Sequence, residues 1–396
     1  MEYLFSGKMQ RLQSPAVGGV WQPKQAAAMI SFASDGPAEE LYPAEAVADA
    51  AERVFAAGKD ALRYGPDEGY TPLREQLCER LAAQGMKVQP AEMLLTAGLQ
   101  QTIDLLVRVL TDPGAVILVE NPTCLASLQV FHLNQLQVIP VESDHEGMII
   151  EDAERLMRQH RPRLVYAAPT FGSPTGRVWS VERRRALVEM CSRHRVPILE
   201  DDRYGELTFD ARYPTLLSLA GEADNSCVIY VGTFADTVAP ALRTSWAVGD
   251  KRVMQMMLKA KQAAERYSGL VDQLLLDQLL RHFSLDRHIR TVAETYGRRM
   301  REMVTLLQAE QMEGVAWLEP RGGMFLWVEL PEALDAAALL RCAAGKGVSF
   351  VPGEAFYAAG AQRNTARLNF ACTSGERTAL GVSRLAEAIG EFTARG

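Results

Sequence analysis

Long apolar runs are missing from this chain of 396 residues, and no stretch approaches the length of a bilayer-spanning helix. The first residues, Met1-Glu-Tyr-Leu-Phe5, lack the basic start and apolar run of a secretory leader. Cysteine is sparse: six residues are scattered along the chain with no CxxC pair, which argues against a disulfide framework and for reduced thiols in a cytoplasmic protein. An excess of positive charge is also absent. With a net charge of −7 and a pI near 5.6, nothing electrostatic favours binding to nucleic acid or to an anionic membrane. The basic clusters Arg183-Arg184-Arg185 and Arg298-Arg299 fall in charge-mixed helical surroundings and read as solvated helix faces. No internal repeat, low-complexity tract or leading winged-helix stretch is found.

What is there is apolar material for a large core: 48% hydrophobic side chains over a length that exceeds one ordinary core, so a large domain with a smaller one is expected. Residues 1–45, broken by Pro15, Gly18, Gly19 and Pro23, read as an arm rather than a domain. From Tyr42 to about residue 285, strand-length apolar runs alternate with helical patterns of 3.6 periodicity, the pattern of a mostly parallel sheet wrapped by helices. The strands are expected at Met93–Thr96, Ala115–Val119, Gln137–Val141, Leu164–Ala167, Pro197–Glu200, Cys227–Val231 and Thr244–Val248. Helices are expected at Pro43–Ala56, Pro72–Ala83, Gln100–Leu110, Val181–Arg193, Arg252–Leu280 and Leu285–Gln308. Further on, Gly322–Glu329 and Arg367–Phe370 read as strands and Asp335–Gly345 as a helix. The expected division is an arm (1–45), a large α/β domain (46–285) and a small α/β domain (286–396).

One stretch organises the rest: Tyr230-Val-Gly-Thr-Phe-Ala-Asp-Thr-Val-Ala-Pro-Ala-Leu-Arg-Thr-Ser-Trp246. It resembles the segment on which pyridoxal-phosphate (PLP) enzymes of the aspartate aminotransferase fold (fold type I) carry their cofactor lysine. The subgroup it is most similar to comprises the 2-aminoadipate and aromatic aminotransferases, which also form the C-terminal half of MocR-type regulators. There the pattern reads Gly-[Ser/Thr]-Phe-Ser-Lys-x-x-x-Pro-Gly-x-Arg-x-Gly-[Trp/Tyr]. Thr233 and Arg243 match it, whereas Asp236 stands in the place of the Schiff-base lysine, Ala235 in that of the preceding serine, and Ala241 and Ser245 in those of two glycines. The resemblance spans nearly the whole chain and implies a seven-stranded large domain, a smaller C-terminal domain and a homodimer whose arm packs on the partner subunit.

The resemblance also assigns site residues. In Glu200-Asp-Asp-Arg-Tyr-Gly-Glu206, Asp201 would take the pyridine nitrogen and Tyr204 the ring oxygen, at the end of a strand where open α/β sheets bind ligands. The alternative for this acidic cluster is capping of the next element. In Thr96-Ala-Gly-Leu-Gln-Gln101, Gly98, Leu99 and Gln100 would offer backbone N–H groups to phosphate at a helix start, aided by Thr233, Arg243 and a second subunit's Tyr64. Ala97 and Leu99 replace residues that usually bring hydroxyls, and each lost bond to a charged ligand costs about 1.5–3 kcal/mol. Cys124 replaces the aromatic ring that stacks on the cofactor and reads as a small buried thiol, with a nucleophile as its alternative although no histidine is placed nearby by sequence, and Ser173 replaces an asparagine. Arg367 matches the arginine that forks onto a substrate carboxylate, with a surface ion pair as its alternative. Ser34 and Asp35 stand where two glycines flank that carboxylate, and an acid there would repel it.

Without an amine at position 236, PLP would be held noncovalently, enter as pyridoxamine phosphate (PMP), or not bind. Asp236 could replace the lysine as acid or base through a relay water, its reach being about 3 Å shorter, with burial beside Asp201 tuning it. Three readings stay open: a rebuilt, lysine-less enzyme acting on an amino-acid-derived or amine substrate in specialised biosynthesis, a non-catalytic ligand-binding or partner subunit, and a conventional PLP-dependent aminotransferase. Lys259 and Lys261 fall on the helix after the motif. No metal site is indicated.

Overall fold

The computed structural model describes residues 3–11 and 29–393. Ser14 and the Pro15–Pro23 part of the expected arm lie outside the described residues. Seven strands form the central sheet: β1 (Met93–Thr96), β2 (Val116–Glu120), β3 (Gln137–Val141), β4 (Leu164–Ala167), β5 (Ile198–Asp201), β6 (Val228–Thr233) and β7 (Ser245–Val248). Their spatial order is β1-β7-β6-β5-β4-β2-β3, with β7 antiparallel to both its neighbours and every other pairing parallel.

The sheet is apolar on both faces because helices cover both. Leu118, Val165, Ile198 and Val228 point into one core with Trp246 and Leu276, while their chain neighbours Ile117, Leu164, Leu199 and Ile229 point into the other with Phe131 and Met257. This is the two-residue alternation of an extended chain. The strands begin within a residue or two of their expected positions, and β6 runs two residues further, to Thr233.

Two expectations are corrected. The helix expected over Arg252–Leu280 is two helices, Lys251–Ala264 and Leu270–His282. Between them Arg266 adopts a left-handed φ of 69° and Gly269 begins the second helix, so the first cannot continue. The second concerns Arg183-Arg184-Arg185, since Arg184 is wholly buried rather than solvated. Its guanidinium donates to the carbonyls of Trp179, Pro169 and Pro214 and to Thr170 Oγ1, tying three loops together.

A second core lies beside a four-stranded antiparallel sheet of β8 (Ala316–Leu318), β9 (Phe325–Glu329), β10 (Val351–Pro352) and β11 (Thr365–Asn369), in the order β8-β9-β11-β10. The helix Leu285–Ala309 starts in the large core with Leu285 and Ile289 and ends in the second with Tyr296, Met300 and Leu307, so the two cores share it. The chain at Ile30–Ser31 pairs with Val348–Ser349, and Ile30 and Phe32 pack into the second core. No helix among the described residues is long and apolar enough to cross a membrane.

Candidate active site

The C-terminal ends of the parallel strands and the start of the reversed β7 fall on one edge of the sheet. Asp201 ends β5, Thr233 ends β6, and Ser245, the first residue of β7, pairs with both Thr233 and Thr96. A cavity of about 600 Å³ opens here, lined by Asp35, Leu99, Gln100, Cys124, Ser173, Arg203, Tyr204, Thr233, Arg243, Phe356 and Arg367 among others.

The acidic cluster divides by role. Glu200 accepts from the backbone N–H groups of Leu216 and Leu217 at 2.6 and 3.0 Å and caps a helix start, while Asp202 accepts from the Tyr230 hydroxyl at 3.1 Å. The capping alternative therefore applies to Glu200. Asp201 is buried at the strand end, where the Tyr166 hydroxyl donates to Oδ2 at 2.7 Å and the Arg203 N–H to Oδ1 at 3.4 Å. Burial pushes its carboxyl up, against the pull of the Arg203 charge. Tyr204 is buried edge-on to Phe325 with ring centroids 5.7 Å apart. Burial holds its phenol well above the ordinary range; Arg203 opposes this, and Asp236 and Asp35 reinforce it, so the hydroxyl keeps its proton.

Asp236, 3% exposed, does not act alone. Arg203 Nε donates to its Oδ2 at 3.0 Å and Nη2 to its Oδ1 at 3.2 Å, a two-toothed pair, and the same guanidinium stacks over the Tyr204 ring at 4.8 Å. Burial alone would lower Arg203; Asp236, Tyr204 and Asp201 outweigh it and hold it well above its ordinary value, so it stays charged. Each Asp236 oxygen already accepts from Arg203, so an acid or base role for this carboxylate would be exercised from within the ion pair. Sequence reasoning missed Arg203. The signal was present: it is the one basic residue inside Glu200–Glu206, and a buried aspartate elsewhere in the site needs a cation.

At the opposite end, Gly98 has φ 102°, and a Cβ there would stand 2.3 Å from Arg243 Nη2. Only glycine therefore lets the guanidinium lie against the start of the helix Leu99–Leu110, whose first turn has no side-chain cap. Thr233 Oγ1 accepts from the Ala235 N–H at 3.1 Å. The Ala97 N–H is taken by Gln101 Oε1 at 2.7 Å, so Gln101 organises this turn from behind.

Cys124 is buried in the wall, as expected of a small thiol. Ser173 Oγ lies 3.3 Å from Arg367 Nη1, and Arg367 Nη2 lies 2.5 Å from Asp35 Oδ1. Arg367 is 3% exposed, so its surface-pair alternative fails: it is a buried arginine over Phe325 and Phe356. Ser34 does not line the cavity; its hydroxyl accepts from the Gly36 N–H. Tyr64 is exposed outside this chain's cavity and stacks on Tyr267 at 4.6 Å. Among the described residues, no lysine lines the cavity. Lys259 is exposed, and Lys261 is buried elsewhere, donating to the carbonyls of Asp67 and Leu95. No cluster of metal-ligating side chains exists among the described residues.

The family model for aminotransferase class I and II matches residues 29–385. The 2-aminoadipate transaminase of Thermus thermophilus is 36% identical over 96% of this chain and 94% of its own length. The crystal structure of LysN, an alpha-aminoadipate aminotransferase also of Thermus thermophilus, complexed with N-(5'-phosphopyridoxyl)-L-leucine, superimposes with a TM-score of 0.92 at 34% identity, covering 99% of this chain and 98% of that one. Kynurenine aminotransferase of Pyrococcus horikoshii, in complex with PMP, gives 0.92 at 35% identity, covering 98% and 97%. Over nearly its whole length, in sequence and in fold, this chain belongs to the PLP-dependent aminotransferase class I and II family.

Proposed function

We propose that the cleft binds PLP or PMP without a covalent link and handles an amino-acid-derived or amine substrate. One observation carries this reading: Arg203, in the wall of a cavity that no lysine among the described residues lines, is paired with the buried Asp236, the residue that the motif aligns with the family's lysine. The residues present suit the cofactor. Gly98 leaves room for the Arg243 guanidinium against an uncapped helix start, and that pairing of a cation with free backbone N–H groups suits a phosphate. A buried carboxylate, Asp201, suits a protonated pyridine nitrogen. Gly98, Leu99, Gln100, Thr233 and Arg243 would hold the phosphate, with Tyr64 of a second copy, and Asp201 the ring nitrogen; Tyr204 and Ser173 would face the ring oxygen.

The bound cofactor would supply an electron sink for bonds at the substrate carbon. In this chain, Tyr204 holds a phenolic proton in the cleft, Arg203 and Asp236 fix each other, and Cys124 and Phe356 exclude water from the wall. A homodimer belongs to this reading, and Tyr3, Leu4 and Phe5 are exposed apolar residues that a second copy could cover. A cytoplasmic location is proposed with it.

A second reading, the conventional aminotransferase, is favoured by the names of the relatives, which are aminotransferases for 2-aminoadipate and aromatic amino acids. It requires a lysine amine to reach the cleft. Absorbance titration of the purified protein with PLP and with PMP tests the first reading. Saturable binding whose spectrum changes on adding an amine supports it, and silence towards both forms rejects it.

A further inference from the structure

Strand β11 presents Arg367 and Asn369 on one face, Arg367 in the cavity wall and Asn369 wholly buried behind the chain at Ser34–Gly36. Asn369, wholly buried, donates from its side-chain amide to the carbonyls of Ser34 at 3.0 Å and Gly36 at 3.2 Å. Those carbonyls flank Asp35. The chain crossing above Arg367 is thus held on both sides of Asp35, whose Oδ1 meets Arg367 Nη2 at 2.5 Å.

The fork of Arg367 is occupied. Nη2 is on Asp35, Nη1 on Ser173, and Nε is buried without a partner, while Phe325 and Phe356 lie 4.2 and 5.0 Å from the guanidinium carbon. Asp35 itself lines the cavity with its side chain 56% exposed. An α-carboxylate seeking Arg367 would have to displace the Asp35 carboxylate and then remain beside a like charge on a backbone that Asn369 holds in place. An amine with no carboxylate meets neither obstacle.

We propose that Asp35 is a specificity-determining residue: it neutralises the carboxylate-binding arginine from within, so that the site selects amines lacking the α-carboxylate over α-amino acids. The proposal rests on the reading that this cleft handles an amine joined to a pyridoxyl cofactor, and it deepens that reading by naming the substrate class. Asp35 acts through its charge and not its bulk, so the isosteric amide suffices to relieve the block.

Isothermal titration of the full chain with N-(5'-phosphopyridoxyl)-L-leucine and with its decarboxylated counterpart, N-(5'-phosphopyridoxyl)-3-methylbutylamine, tests this. The unaltered protein is expected to bind the amine conjugate at least about tenfold more tightly. Asp35→Asn and Asp35→Gly are each expected to tighten the leucine conjugate by about tenfold while leaving the amine conjugate within about threefold. Leucine conjugate bound by the unaltered protein as tightly as the amine conjugate, or a preference unchanged in both variants, would overturn the proposal. If PMP and both conjugates fail to bind, the cofactor reading falls, and titration with 4-methylpentanoate followed by NMR decides the Asp35 question alone. Carboxylate binding gained only in the variants supports it; equal behaviour overturns it.

Discussion

Asp236 and Arg203 are bound to each other through two hydrogen bonds, 3.0 and 3.2 Å, with the carboxylate buried and the guanidinium stacked over Tyr204. At position 236 a buried carboxylate is met by a cation from the turn that follows β5. Removing one partner leaves the other as an uncompensated charge in a poorly solvated place. Asp236→Ala and Arg203→Ala are each expected to cost about 2–4 kcal/mol in denaturant unfolding, discounted at Arg203 because 23% of its side chain is exposed. The double variant is expected to cost less than the sum by at least about 1 kcal/mol. Additive losses would show that the two side chains are not coupled.

Arg184→Ala is expected to be among the most destabilising single changes in the large domain. Four hydrogen bonds from one buried guanidinium satisfy three loop carbonyls and Thr170 Oγ1. Losing them leaves buried acceptors bare and opens a cavity, about 3–5 kcal/mol together, readable as a shift in the urea midpoint with an unchanged slope.

The pH dependence of stability carries a signature of Glu120. Burial raises its carboxyl from 4.5 to about 7, against bonds from the Ala168 N–H and Trp179 Nε1. Between these values the folded protein holds a proton that the unfolded chain has released, so stability falls as pH rises through the window and levels off above it. Glu120→Gln removes this titration and is expected to flatten the slope by an amount on the order of 2–4 kcal/mol across the window. Glu200, raised to about 7 by burial, leaves a residual slope of the same sign. An unchanged slope in the variant would contradict the assignment.

Gly98→Ala tests the phosphate cradle. At φ 102° and ψ 160° the backbone is in a region essentially reserved for glycine, so a side chain is strained by about 1–3 kcal/mol, and the new Cβ would push Arg243 away from the helix start. Stability is expected to drop by that amount while the affinity for PLP or PMP falls by about tenfold or more. Equal affinity would place the phosphate elsewhere.

The fold was legible because its strands announce themselves. Met93–Thr96 and Leu164–Ala167 are short apolar runs between turn residues, and a separate 3.6-residue periodicity marks the helix at Val181. Motif order singled out Tyr204, Thr233 and Arg243, which the structure brings to the wall of one cavity, and Asp201, which it places at the end of β5. What stayed hidden were relationships across sequence distance. Arg203 lies 33 residues from Asp236, and Asn369 grips the backbone around Asp35 from 333 and 335 positions away. Periodicity reports which way one chain segment faces and says nothing of which charge meets which. The buried Arg184 was hidden for a related reason, since its neighbours Arg183 and Arg185 read as a solvated face and only the packing of three loops against one position distinguishes it.

Intact-mass measurement after borohydride treatment of the protein saturated with PLP tests the central claim most directly. An unmodified mass is expected, with PLP or PMP removable by gel filtration, because no lysine among the described residues lines the cleft. A stoichiometric mass gain of one reduced pyridoxyl phosphate, mapped to any lysine, would contradict it and establish the conventional aminotransferase instead.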